Sequence, residues 1–240
     1  MSPLAEARVL FALARGAPRA SSHAEQLQRF YAPQAEAYDA FRERLLHGRR
    51  DLIDLLPTTP GDRIVELGAG TGRNLEFFGT RLAQLEQIEA VDLCPALLDV
   101  ARRRFANRPN VQVVQGDATR YLPAHPADAV YFSYALTMIP DWRAAVDNAL
   151  LMLRPGGVLG VVDFYLPVSD GHEGALSRRA RANWFWRAWF AHDGVRLSQE
   201  HLPHLRNRVV VEVCQERIAP VPYLPWLQVP YYILVGRKLR

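Results

Sequence analysis

Lysine is almost missing from this 240-residue chain: Lys238 is the only one, and the other 28 basic residues are arginines. The bias fits a GC-rich coding sequence. It equally fits affinity for phosphate or an anionic surface, because guanidinium grips phosphate as a bidentate fork. The formal charge of +4 is too small to imply a nucleic-acid partner. Cysteine is scarce as well. Cys94 and Cys214 are too few for a disulfide framework or a structural zinc site. They fit a reducing compartment and read as small apolar residues. No apolar run approaches the ~18 residues needed to cross a bilayer. Residues 9–14 are apolar, but Glu6 and Arg8 precede them without a basic leader, which makes a poor signal peptide. A cytoplasmic protein is expected, with any membrane contact peripheral. There is no internal repeat, no low-complexity tract, no metal-ligand cluster and no Ser/His/Asp constellation. The oligomeric state is left open.

What is there is ordinary globular material. Hydrophobic residues make up 49% and charged residues 22%, enough to build a core and exclude a disordered chain. One domain is expected over 1–240. Residues 1–22, Ala/Arg-rich, are expected to be flexible. Residues 23–57 read as a helical cap, from the helical spacing of Leu27, Phe30, Tyr31, Tyr38, Phe41, Leu45, Leu52 and Ile53. Pro33 divides that cap.

An alternating series follows over 60–165. Strands are predicted at 63–67, 87–92, 111–115, 129–134 and 158–163, with helices near 73–84, 95–107 and 141–153. Alternation of this kind gives a doubly wound parallel sheet, and the nearly unbroken apolar strands agree with coverage on both faces. A substrate-side insertion at 166–206 comes next. Strands at 209–214 and 229–235 lie within the closing segment 207–240, and they read as an antiparallel edge pair.

The first strand runs into Glu66-Leu67-Gly68-Ala69-Gly70-Thr71-Gly72. Alternate glycines let a backbone turn sharply and approach a ligand closely. The turn feeds a helix start, where free N–H groups suit an anion. Dinucleotide folds use G-x-G-x-x-G, but the residue three after Gly70 is Arg73, so that spacing fails. The pattern E-x-G-x-G-x-G matches S-adenosyl-L-methionine binding instead. Asp92 ends the second strand, where a carboxylate can accept both ribose hydroxyls or stand as a solvated loop residue. Asp117, in Gly116-Asp117-Ala118 after the third strand, can accept from an adenine amino group or cap a helix. Leu153-Arg154-Pro155-Gly156-Gly157 reads as a glycine C-cap before the fifth strand.

This series resembles the class I S-adenosyl-L-methionine-dependent methyltransferases, over about residues 60–165 plus the two closing strands. The resemblance implies a Rossmann-like seven-stranded sheet whose last strand is antiparallel. It also implies a cofactor site built from Glu66, Gly68, Gly70, Gly72, Asn74, Asp92, Leu93, Asp117, Ala118 and Ser133. Gly68 and Gly70 then lie by the methionine moiety, Asp92 by the ribose, and Asp117 with Ala118 by the adenine.

A narrower set of segments includes Ser133-Tyr134-Ala135-Leu136-Thr137-Met138-Ile139-Pro140-Asp141-Trp142 and His201-Leu202-Pro203-His204-Leu205-Arg206. Val221-Pro222-Tyr223-Leu224-Pro225, Val162-Asp163-Phe164-Tyr165 and Tyr38-Asp39 belong to it too. Together they resemble the diacylglyceryl-homoserine N-methyltransferases of betaine-lipid synthesis, which methylate the amine of a lipid headgroup. An acceptor amine attacks only when neutral, so the site must lower its pKa or take its proton. Candidates are Tyr134, Asp163, Tyr165 and Tyr38, with Tyr31 beside them. His201 and His204 are further bases, though a surface helix suits bystanders. Residues 178–190 carry Arg178, Arg179, Arg181, Trp184, Trp186, Arg187 and Trp189, a mixture that suits either a membrane interface or a helix over the cleft. A soluble acceptor, such as a quinone precursor or a natural product, is the alternative.

Overall fold

The computed structural model describes residues 21–35, 43–166, 195–221 and 224–239. The expected flexible start, Tyr38, and the Arg/Trp segment 178–190 lie outside the described residues, the start except for its last two positions.

Five strands run parallel: β1 (Arg63–Leu67), β2 (Gln87–Asp92), β3 (Val111–Gln115), β4 (Ala127–Ser133) and β5 (Leu153–Phe164). A hairpin of β6 (Val209–Val221) and β7 (Leu224–Lys238) closes the sheet, with β7 antiparallel to both β5 and β6. The strand order is 3-2-1-4-5-7-6. The expected seven-stranded, doubly wound sheet with its last strand antiparallel is therefore the one found.

The strands alternate their side chains between two apolar layers, as the two-residue period requires. Ile64, Ile88, Tyr131 and Val162 face one layer with Leu52, Ile53 and Phe78. Val65, Val91, Phe132 and Val161 face the other with Trp142, Val146 and Leu202. The covering helices are α1 (His23–Tyr31), α2 (Arg49–Leu55), α3 (Pro95–Arg104), α4 (Trp142–Met152) and α5 (His201–Arg206). A segment of 3-10 helix, Arg73–Gln84, follows β1 and is kinked at Gly79. Ser22 caps α1 and Asp141 caps α4, each side chain accepting a backbone N–H of the first turn. Pro33 falls in a 3-10 turn directly after α1, where its missing N–H costs little.

Two expectations change. The glycine C-cap at Gly156 is not a cap: α4 stops at Met152, and Leu153 is already extended and paired with Ala127. Pairing with β4 outcompetes one more helical turn, and Gly156 supplies a turn inside the start of β5. The closing strands are also far longer than their apolar cores suggest. Gln215 to Pro220 pairs across Ile233 to Gln228, although its outer residues are polar or exposed.

Candidate functional site

The strand order reverses direction between β1 and β4, and the carboxyl ends of the strands beside such a switch point open a crevice. A cavity of about 470 Å³ lies there. Gly68 and Gly70 follow β1, Asp92 and Leu93 lie at the end of β2, and Gly116, Asp117 and Ala118 follow β3. Tyr134, Ala135 and Met138 come from the turn after β4, while His23, Leu27 and Tyr31 of α1 form the opposite wall.

The loop is bent into place by backbone bonds. Gly68 and Ala69 both donate N–H to the carbonyl of Val91, at 2.8 and 3.0 Å. Asp92 ties the loop down: Oδ2 accepts from Gly70 N–H and Oδ1 from Cys94 N–H, both at 2.8 Å. Each carboxylate oxygen keeps a lone pair for a ligand hydroxyl. Burial raises the Asp92 carboxyl above its ordinary range, opposed by these N–H groups. Asp117 Oδ1 accepts from the Thr119 N–H and hydroxyl, which leaves Oδ2 for a ligand donor. Among the described residues, three carboxylates, Asp92, Asp117 and Asp141, face the cavity against one guanidinium, Arg120. A wall of that sign suits a cationic ligand.

Four of the residues expected at the cofactor sit one layer behind the cavity wall. Gly72 packs its Cα side against Phe105 and Ala101. Ser133 is 8% exposed, and its hydroxyl has no partner among the described residues. Glu66 is wholly buried and accepts from Asn74 Nδ2 at 2.6 Å and from the Tyr131 hydroxyl at 2.9 Å. Asn74 in turn accepts from buried Arg49 at 3.3 Å. This chain braces the loop from below.

The acceptor-side candidates separate too. Of the three that the structure describes, Tyr134 alone lines the cavity, with a backbone φ of +55° and its hydroxyl donated to the His47 carbonyl at 2.6 Å. Burial first, then the neighbouring Asp163, holds that hydroxyl well above its usual pKa, so it stays neutral. Asp163 is fully buried and accepts from Thr137 N–H at 3.2 Å, Thr137 Oγ1 at 2.8 Å and Phe164 N–H at 2.8 Å. It holds the turn of Leu136–Met138 rather than facing the cavity. Tyr165 turns away: its hydroxyl goes to Glu216 at 2.6 Å and its ring packs edge-on to Tyr232. His201 is not a surface residue. It is 0% exposed, edge-on to Trp142, and burial lowers its pKa to about 4. His204 also packs edge-on to Trp142, and neither histidine lines the cavity.

Several contributors escaped the sequence reading. Asn148 donates to the carbonyls of Ala118 and Tyr121 at 2.9 and 2.7 Å, fixing the Asp117 turn. A lone amide on the apolar face of α4, between Ala145 and Ala149, was its available signal. Arg104 donates to the Thr71 carbonyl at 2.7 Å and steadies the glycine loop.

Buried Glu66 has a measurable consequence. Burial lifts its carboxyl to about 8, against the pull of Asn74, Tyr131 and Arg49. Between the ordinary 4.5 and about 8, the folded protein keeps a proton that the unfolded chain has released. The stability this group contributes is complete below 4.5 and is lost as pH rises through about 8. Asp163, lifted by burial to about 7, acts in the same sense. His201 opposes both only below its ordinary 6.5, where the unfolded chain gains a proton first. The melting temperature is therefore expected to fall from pH 6.5 to pH 8, and to fall less in Glu66→Gln. Parallel melting profiles for the two proteins would refute the assignment.

A doubly wound sheet of this order, with a glycine loop after β1 and a cavity at the switch point, is the Rossmann-like methyltransferase fold. Residues 64–157, from β1 into β5, match a family model described as a methyltransferase domain. The chain is similar to the ubiquinone/menaquinone biosynthesis C-methyltransferase UbiE of Ectopseudomonas mendocina, 28% identical over 156 residues, 61% of each chain. It is also similar to the demethylmenaquinone methyltransferase of Renibacterium salmoninarum, 32% identical over 139 residues. That match takes in 55% of this chain and 56% of the relative, so the chain spans under two thirds of these proteins' lengths. Among solved structures, the N-methyltransferase NodS from Bradyrhizobium japonicum WM9, in complex with S-adenosyl-L-homocysteine, shares the fold. Its TM-score is 0.59 at 16% identity, covering 83% of this chain and 87% of that one.

Proposed function

We propose that this protein is an S-adenosyl-L-methionine-dependent methyltransferase. The observation that carries the reading is the single cavity joining Gly68, Gly70, Asp92 and Asp117 at successive strand ends. The donor set fits the cofactor. Asp92 suits the vicinal ribose hydroxyls, Asp117 an adenine amino group, and the carboxylate-rich wall a sulfonium and an ammonium. Bound, the cofactor would supply a methyl group on a positively charged sulfur, the electrophile of an in-line displacement. The protein's own part is to align the acceptor and exclude water. Tyr134, held by the His47 carbonyl and tilted at 59° against Phe164 with ring centroids 4.5 Å apart, shapes the wall after β4. Its neutral hydroxyl is spent as a donor, so it orients rather than deprotonates. An acceptor amine must lose its proton before it attacks, and desolvation in this cavity favours the neutral form.

For the acceptor, the reading is an amine on an amphiphile, the headgroup of diacylglyceryl-homoserine. The segments around Tyr134 and Asp163 support it, and so does the Arg/Trp composition of residues 178–190. The second reading is a quinone precursor, favoured by the activities for which the two relatives are named. Mass spectrometry of lipid extracts from cells with and without the gene separates them. A gene-dependent shift in methylated amine lipids supports the first, and a shift confined to quinones replaces it with the second. For membrane contact, Trp184→Ala and Arg181→Ala are expected to weaken co-sedimentation with anionic liposomes, the Arg181→Ala effect shrinking in high salt as the charge is screened. A parent protein that ignores liposomes removes that part.

A further inference from the structure

Thr137 is buried and sends its polar groups to two different elements. Its N–H and Oγ1 go to Asp163, at 3.2 and 2.8 Å, and its carbonyl accepts the Arg196 N–H at 2.7 Å. A second bond, from Leu166 N–H to the Ser198 carbonyl at 3.3 Å, holds the same short segment. Val195 and Leu197 are buried there, while Arg196 between them is exposed. The next residues along the turn after β4, Met138 to Asp141, line the cavity. The Arg196 charge also bears on His23, on the cavity wall made by α1. Burial is the main cause that lowers the His23 pKa, and Arg196 adds to it against a bond with Gln26 and the charge of Asp117. Arg196 thus stands at the rim, between α1 and that turn, on a fixed backbone. Most described arginines are matched by a carboxylate, as Arg104 is by Glu76, Arg154 by Asp128 and Arg206 by Glu216. The Arg196 guanidinium has no hydrogen bond or ion pair among the described residues.

We propose that Arg196 is a specificity-determining residue that binds an anionic group of the methyl acceptor, so that the acceptor is a zwitterion with its amine inside the cavity and its anion at the rim. This rests on the lipid-amine reading of the acceptor given above. The charge layout supports it. Asp92, Asp117 and Asp141 at the cavity repel a plain anion and attract an ammonium. A neutral acceptor would leave the Arg196 charge unused. A zwitterion meets both signs. A homoserine headgroup carries its amine and its carboxylate on one carbon, and a guanidinium takes a carboxylate through two parallel N–H bonds.

The test is initial-rate kinetics with diacylglyceryl-homoserine in mixed micelles, beside calorimetry with S-adenosyl-L-homocysteine. The fixed contact of Arg196 is its backbone N–H, so Arg196→Gln keeps it and should melt with the parent. That variant should raise the KM for the lipid about tenfold to a hundredfold, with kcat within about twofold. Arg196→Lys keeps the charge but loses the fork, and should recover part of the loss. S-adenosyl-L-homocysteine should bind both variants as it binds the parent. The methyl ester of the lipid, its anion masked, should show the same rise in KM with the parent and no further rise with Arg196→Gln. If Arg196→Gln melts well below the parent, the ester decides alone. An unchanged KM in Arg196→Gln, or an ester as good as the free acid, overturns the role of Arg196 and leaves the lipid reading standing. Weaker S-adenosyl-L-homocysteine binding overturns it too, because the guanidinium then serves the cofactor's own carboxylate. A parent that binds S-adenosyl-L-homocysteine yet methylates no diacylglyceryl-homoserine removes the lipid reading and this inference with it. A parent that binds no S-adenosyl-L-homocysteine removes the cofactor reading and both of these.

Discussion

Asp92→Ala should lose S-adenosyl-L-methionine affinity by roughly 2–4 kcal/mol, a factor on the order of 30 to 1000 in Kd. Two effects add. The side chain offers charge-assisted acceptors to a ligand's hydroxyls, and it pins the glycine loop through Gly70 N–H and the α3 start through Cys94 N–H. Asp92→Asn tells them apart. It keeps one acceptor for the loop but brings an amide donor toward the other N–H, so it should recover less than half of the loss. Isothermal titration calorimetry at fixed ionic strength is the measurement. An Asp92→Ala protein with unchanged affinity sinks the cofactor assignment, because among the described residues no other carboxylate at the cavity joins the glycine loop to the end of β2.

The strands and the glycine loop were legible because their signals are local. Residues 63–67, 87–92 and 111–115 were bounded correctly from apolar runs flanked by turn residues. Asp92 was legible because a charge directly after such a run stands at a strand end. Residues that act through tertiary partners were harder. Nothing near Gln28 in sequence says that its amide reaches Ala96, 68 positions later. Asp163 and Tyr165 are neighbours at the end of β5, and both were expected at the acceptor. The strand ends between them, at Phe164, and their partners differ: Asp163 braces Thr137 while Tyr165 reaches Glu216 across the hairpin. His201 was expected on a surface helix, and packing edge-on to the Trp142 ring takes it inside. The fold was thus written in patterns of period two and in glycines. The division between cavity wall and supporting layer was written in packing, which one sequence does not display.

Gly68→Ala and Gly70→Ala should fail in different ways. Both positions have left-handed backbone, with φ of +76° and +55°. A side chain in that region costs roughly 1–2 kcal/mol at either one. Space then separates them. A Cβ on Gly68 would lie 2.4 Å from the Cβ of Ala135, on the turn after β4. Relief requires the β1 loop and that turn to part, adding about 1–3 kcal/mol of overpacking. Gly68→Ala should therefore lower the melting temperature by roughly 5–15 °C for a chain of this size. A Cβ on Gly70 meets only Leu97 Cδ1, at an ordinary 3.7 Å. The fold of Gly70→Ala should survive with a smaller drop. Its new methyl group, at a cavity-lining position, should instead weaken S-adenosyl-L-homocysteine binding beyond what the stability loss explains. Melting and calorimetry on the two variants give the ordering. If Gly70→Ala binds the ligand as tightly as the parent, the loop does not approach the cofactor at that residue, and the contact would have to be made by Gly68 and Asp92 alone.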